Sequence, residues 1–177
     1  MIRRITLPLL LPLLLQGAAA FAAEIPSAYR QVARAHGIPA DIFYAMALAE
    51  SGRKLGPDRP FRPWPWTLNI HGKGRYFNDR QSAWRAIMAS IVSDRPSVDI
   101  GPMQVNWRYH GLSLIDPWRA LDPYANLQVA AEILKGCQQR LIDWWESVGC
   151  NHPTSNPERA KRYRERLRIP GQSLVRS

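Results

Sequence analysis

Apolar and polar positions along the chain fall mostly into helical spacing. Ser27 to His36 opens after Pro26 and is stopped by Gly37-Ile38-Pro39, a glycine at the end and a proline just beyond. Ala40 to Glu50 follows, and Ile42, Phe43, Tyr44, Ala45, Met46, Ala47, Leu48 and Ala49 leave it without a polar face. A helix apolar all round is a buried helix. Gln81 to Val92 resumes the helical pattern, with Ala83, Ile87 and Ile91 on one face, and Asp94-Arg95-Pro96-Ser97 breaks it. Asp99 to Met103 reads as a loop and Gln104 to Tyr109 as a short helix. Asp122-Pro123 is a helix start, Asp as cap and Pro in the first turn. That helix runs to about Arg140 and is expected to continue through Ser147. Asn156-Pro157 starts a last helix by the same logic.

Between the second and third helices the pattern changes. Residues 52–78 carry Pro57, Pro60, Pro63 and Pro65, with Trp64, Trp66, Tyr76 and Phe77 among them. The segment reads as a long aromatic and proline-rich loop. A short β-hairpin is expected inside it, Trp66 to Ile70 and Arg75 to Phe77 about a turn at His71-Gly72-Lys73-Gly74. The predicted fold class is mainly α.

The first residues stand apart. A basic start, Met1 to Arg4, leads into an apolar run from Ile5 to Leu15 and then into Gly17-Ala18-Ala19-Ala20-Phe21-Ala22. This is the three-part pattern of a secretory signal peptide. Residues 1–22 are therefore expected to be cleaved, leaving one domain over residues 23–177 in the periplasm. The run is short for a bilayer span and two prolines interrupt it. No later stretch is long and apolar enough to span.

Charge changes the picture next. Without Arg3 and Arg4 the balance is 22 basic to 14 acidic residues, a net +8. A basic protein is drawn to polyanions. Export points away from nucleic acid and toward the cell wall and anionic lipid surfaces. The densest run, Arg159 to Arg168, also fits a solvated helix face. The two cysteines, Cys137 and Cys150, enter an oxidising compartment and are expected to pair. The alternative, a metal held with His152, matches no standard zinc spacing. No cofactor or metal is expected.

Candidate chemistry begins at Glu50. It ends the apolar helix, so its carboxyl is partly desolvated and faces the negative end of the helix dipole. Both favour the neutral, proton-donating form. Gly101-Pro102-Met103-Gln104-Val105-Asn106 is a backbone-fixing turn followed by two amides, which donate and accept together as sugar hydroxyls and N-acetyl groups require.

Together these segments carry a family likeness. Ala47-Leu48-Ala49-Glu50-Ser51-Gly52, then Gly101-Pro102-Met103-Gln104-Val105-Asn106, then Asn126 to Leu134, then Val148-Gly149-Cys150-Asn151-His152 with Arg162-Tyr163, resemble in order the soluble lytic transglycosylases. The resemblance covers about Ser27 to Leu167. It implies a lysozyme-like helical domain and cleavage of peptidoglycan glycan strands by Glu50 as single acid and base. It also implies Ser51 and Gln104 near the reacting sugars, Met103 lining the groove and Asn106 beside it. Asn151 and His152 fall where the family carries a Tyr-Asn pair. Small members of this kind suggest a conjugation or secretion apparatus as partner. Trp64, Trp66 and Tyr76 fit a sugar platform or a satellite core equally. Two rival readings are a muramidase-type hydrolase with Asp99 as second carboxylate, and a non-catalytic glycan-binding assembly protein.

Overall fold

The computed structural model describes residues 24–93, 97–141 and 143–150. The expected leader, Asn151, His152, the last helix and the basic run 159–168 lie outside the described residues.

Helix α1 (Ser27–His36) ends at Gly37, whose φ of 69° is the left-handed cap that glycine adopts without penalty. Helix α2 (Ala40–Ser51) buries every residue from Ile42 to Leu48 and also Ser51. Strands β1 (Gly52–Arg53) and β2 (Arg62–Pro63) then pair antiparallel, folding the proline-rich loop back over the end of α2. Strands β3 (Thr67–Ile70) and β4 (Lys73–Tyr76) form the expected hairpin. His71 and Gly72, at φ of 51° and 80°, make the two-residue turn, and positive φ at both positions suits the twist of the flanking strands.

Two strands were not expected. β5 (Val98–Ile100) and β6 (Val105–Asn106) extend the hairpin into a four-stranded antiparallel sheet, β4-β3-β5-β6. Asp99 is thus a strand residue, not a loop residue. Its neighbours Val98 and Ile100 point into the core. Helix α3 (Arg80–Ile91) precedes β5 and is capped by Asp79. Helix α4 (Trp107–Leu114) begins later and runs further than the sequence pattern indicates, because Asn106 is its cap. Helix α5 (Pro117–Ala120) has an Asp-Pro start of its own, Asp116-Pro117. Helix α6 (Pro123–Leu141) starts as expected from Asp122, whose side chain accepts from Ala125 N at 2.8 Å. It does not continue through Ser147. A separate helix, α7 (Trp144–Cys150), restarts at Asp143, whose carboxylate accepts from Glu146 N at 3.0 Å.

The fold is mainly α with two small antiparallel sheets. One core cluster joins the buried residues of α1, α2 and α6 to the inward residues Leu68, Ile100 and Val105 of the sheet, and α1 packs against both α2 and α6. No helix among the described residues is long and apolar enough to cross a membrane.

Cys137, buried on α6, is disulfide-bonded, and the chain's other cysteine stands at position 150, the last residue of α7. Closing a loop of this length contributes about 3 kcal/mol by restricting the unfolded chain. Reduction is therefore expected to lower the unfolding free energy by about that amount, read from denaturant unfolding with and without reductant. Alkylation of two thiols in protein purified without reductant, detected by mass, would refute the Cys137–Cys150 pairing.

Candidate active site

The site is built where the two separated sequence motifs meet. Ser51 is fully buried at the end of α2. Its hydroxyl lies 2.8 Å from the Pro102 carbonyl oxygen and 3.1 Å from that of Ala47. One hydroxyl proton therefore links the last turn of α2 to the loop 101–104. Glu50, the residue before, is half-buried at this junction. Trp64 N donates to Ser51 O at 3.0 Å, so the long loop is tied to the same point. Gly52 completes it: an added Cβ there would lie 2.2 Å from the Phe61 ring, so only glycine lets that ring seat over the helix end.

The loop 101–104 is held from its other side by Asn126. This fully buried amide accepts from Met103 N at 3.0 Å and donates to the carbonyls of Ile100 (2.9 Å) and Ala120 (3.3 Å). Gly101 has φ of 80°, and an added Cβ would stand 2.7 Å from the Asn126 side chain. Glycine is required both by the backbone and by this close approach.

Met103 is corrected by this geometry. It is 0 % exposed and belongs to the core, so it cannot line a groove. Its backbone N–H is held by the buried Asn126 amide, and its side chain joins the core cluster. Gln104, at φ of 48°, donates from Nε2 to Gly101 O (2.8 Å) and Thr67 O (3.1 Å). Its amide group braces the loop against β3. Asn106 Oδ1 accepts from Tyr109 N at 3.3 Å, capping α4, while its Nδ2 donates to Asp99 Oδ1 at 2.6 Å.

Asp99 is gripped from both sides. Its other oxygen accepts from Asn69 Nδ2 at 3.0 Å. The register explains this: Asn69, Asp99 and Asn106 stand opposite one another on β3, β5 and β6 and share one face of the sheet. Two amide donors fix the orientation of the carboxylate.

Gln104 and Asn106 also line a cavity of about 320 Å³ with Tyr109, His110, Glu132 and Arg140. Burial pushes the His110 imidazole below its usual range, which keeps it neutral near pH 7 and able to donate and accept. Glu50 and Ser51 do not line this cavity. Of the aromatic candidates, Trp64 and Trp66 meet edge to face at 5.6 Å, with Trp66 packed on the core. Trp64 Nε1 donates to Phe77 O at 2.7 Å, and Tyr76 is exposed with its hydroxyl 3.3 Å from Gly52 O.

Asn126 and Asn69 were not singled out from sequence as site residues. Asn126 does carry a signal, a polar residue on the buried stripe of α6 with Ala130, Leu134 and Cys137. Asn69 carries none, because its partner Asp99 is 30 positions away. No family model, curated protein or solved structure matches this chain, so a functional reading rests on its own residues and their geometry.

Proposed function

We propose that the protein is an exported, lysozyme-like lytic transglycosylase that cleaves peptidoglycan between N-acetylmuramic acid and N-acetylglucosamine. The observation that carries the reading is the Ser51–Pro102 contact, which joins the Glu50 helix end to the Gly101–Gln104 loop across 51 positions of sequence. Glu50 protonates the glycosidic oxygen as the bond breaks. The resulting carboxylate takes the proton of the muramic 6-hydroxyl, whose oxygen closes on the anomeric carbon. The product is a 1,6-anhydro sugar, and Glu50 ends as it began. One carboxylic acid suffices because the nucleophile belongs to the substrate, unlike the two-carboxylate glycosidases. Opening the wall for a conjugation or secretion apparatus is part of the same proposal.

A second reading is favoured by one observation. Asp99, fixed between Asn69 and Asn106, is a pre-ordered second carboxylate of the kind a hydrolase uses to orient water. Mass spectrometry of digested peptidoglycan separates the two. Transglycosylation leaves ends lighter by one water than hydrolysis does. Anhydro ends are the expected result, with Asp99→Asn retaining most of the activity. Reducing ends, together with a loss in Asp99→Asn as deep as that caused by removing the Glu50 proton, would establish the hydrolase.

A further inference from the structure

The loop that folds over the end of α2 encloses a second cavity, of about 350 Å³, and its walls are unusual. Three arginines line it, Arg53, Arg59 and Arg62, together with Leu55, Trp64 and prolines, and no acidic residue does. Arg53 lies near two aromatic rings. Its guanidinium lies 5.4 Å from the centre of the Trp64 ring and 5.2 Å from that of Tyr76. One of its terminal nitrogens, Nη1, is buried without a hydrogen-bond partner. A buried charged donor left unsatisfied is costly, so such groups in native proteins call for a structural or functional reason. The strand register adds to this cost. Arg53 stands directly opposite Arg62 in the β1–β2 pair, and like charges at opposed positions repel.

One kind of group relieves the charge crowding: an anion between the arginines offers acceptors to the guanidinium groups that line the cavity and screens the Arg53–Arg62 repulsion. Guanidinium forks match planar carboxylates bidentately. The apolar walls from Leu55 and the prolines suit the methyl and methylene groups of a short peptide. Location narrows it further. Arg53 follows Glu50 by three positions, so the two Cα atoms are within about 11 Å of each other. In peptidoglycan the peptide stem hangs from the lactyl group of the same muramic acid whose anomeric carbon is attacked, and it carries free carboxylates.

We propose that Arg53, Arg59 and Arg62 form a carboxylate-binding pocket for the peptide stem of the muramyl residue being cleaved. The proposal rests on the muramyl reading of Glu50. It makes the enzyme one that favours stem-bearing glycan over stripped glycan.

Direct binding tests this without turnover. The exported full chain carrying Glu50→Gln is titrated calorimetrically with four probes: disaccharide-tetrapeptide, the same disaccharide with its stem removed by an amidase, the free stem peptide, and vesicles containing phosphatidylglycerol. The expected result is at least tenfold tighter binding of the disaccharide-tetrapeptide than of the stripped disaccharide. Arg59→Gln/Arg62→Gln, at two exposed positions where folding is safe, should erase that advantage. Equal affinities, or an advantage that survives in the double variant, overturns the pocket and leaves the muramyl reading standing. Binding of the free stem with no gain from the attached disaccharide keeps the pocket and overturns the muramyl reading. No binding of any probe overturns both. If the double variant instead loses only binding to vesicles containing phosphatidylglycerol, the arginines serve a membrane surface and the stem assignment fails.

Discussion

Glu50→Gln is expected to lower the rate of peptidoglycan clearing by roughly 10²–10⁴-fold, the range that loss of a positioned general acid produces. The substitution keeps the size and planar shape of the side chain and removes only the transferable proton. The half-buried carboxyl follows Ala49 and precedes Ser51, whose hydroxyl is already committed to the Ala47 and Pro102 carbonyls and does not stand in as the donor. Stability should change little, and a melting temperature close to the parent's confirms that chemistry was lost and not the fold. Clearing at half the parent rate or better would remove Glu50 from the mechanism.

The largest effect on stability is expected at Asn126. Truncation to Ala removes the acceptor for Met103 N and the donor to Ile100 O and Ala120 O, all within the core. Each buried backbone group left unpaired costs about 1–3 kcal/mol, so roughly 3 kcal/mol in total is a conservative sum. For a chain of this size that corresponds to a fall in melting temperature of roughly 6–12 °C. Asn126→Asp keeps the acceptor for Met103 N but sets an oxygen against the Ile100 and Ala120 carbonyls in a fully buried site, and its melting temperature should fall at least as far as that of Asn126→Ala. Activity should fall as well, even well below the melting transition, because the turn at Gly101 loses the wall it rests on. A shift under about 2 °C for Asn126→Ala would mean that water replaces the amide and that the loop is held by other means.

Sequence made some of this legible and concealed the rest for physical reasons. Helices α1, α2, α3 and the start of α6 announce themselves through Gly37, the unbroken apolar run to Ala49, and Asp122-Pro123. The hairpin is readable because β3 and β4 flank a turn that needs left-handed residues. β5 and β6 are three and two residues long, too short for alternation to register. Gly101-Pro102 beside them reads as loop on composition alone. The stop between α6 and α7 was readable in Asp143, which caps Glu146 N, but the apolar spacing through Leu141 obscures it. Glu50 is legible as a carboxyl ending a buried helix. The roles of Met103 and Gln104 are not, because whether such a side chain faces a groove, the core or a backbone carbonyl depends on contacts with β3 and α6, distant in sequence. The arginine cavity is likewise invisible, since Arg53 and Arg62 face each other only once β1 and β2 pair.

The hairpin has a consequence for how copies of the chain behave in a crowded compartment. β4 is the outermost strand of the four-stranded sheet, and its residues are exposed along its whole length. Such an edge invites a strand from another molecule to dock on it. A second copy docking antiparallel would bring Lys73 and Arg75 of one edge against Lys73 and Arg75 of the other, on chains that each already carry an excess of positive charge. Repulsion of like charges across the new pair opposes that growth, and Gly74 between them offers no side chain to compensate. Replacing Lys73 and Arg75 with Thr and Val would convert a self-avoiding edge into an adhesive one.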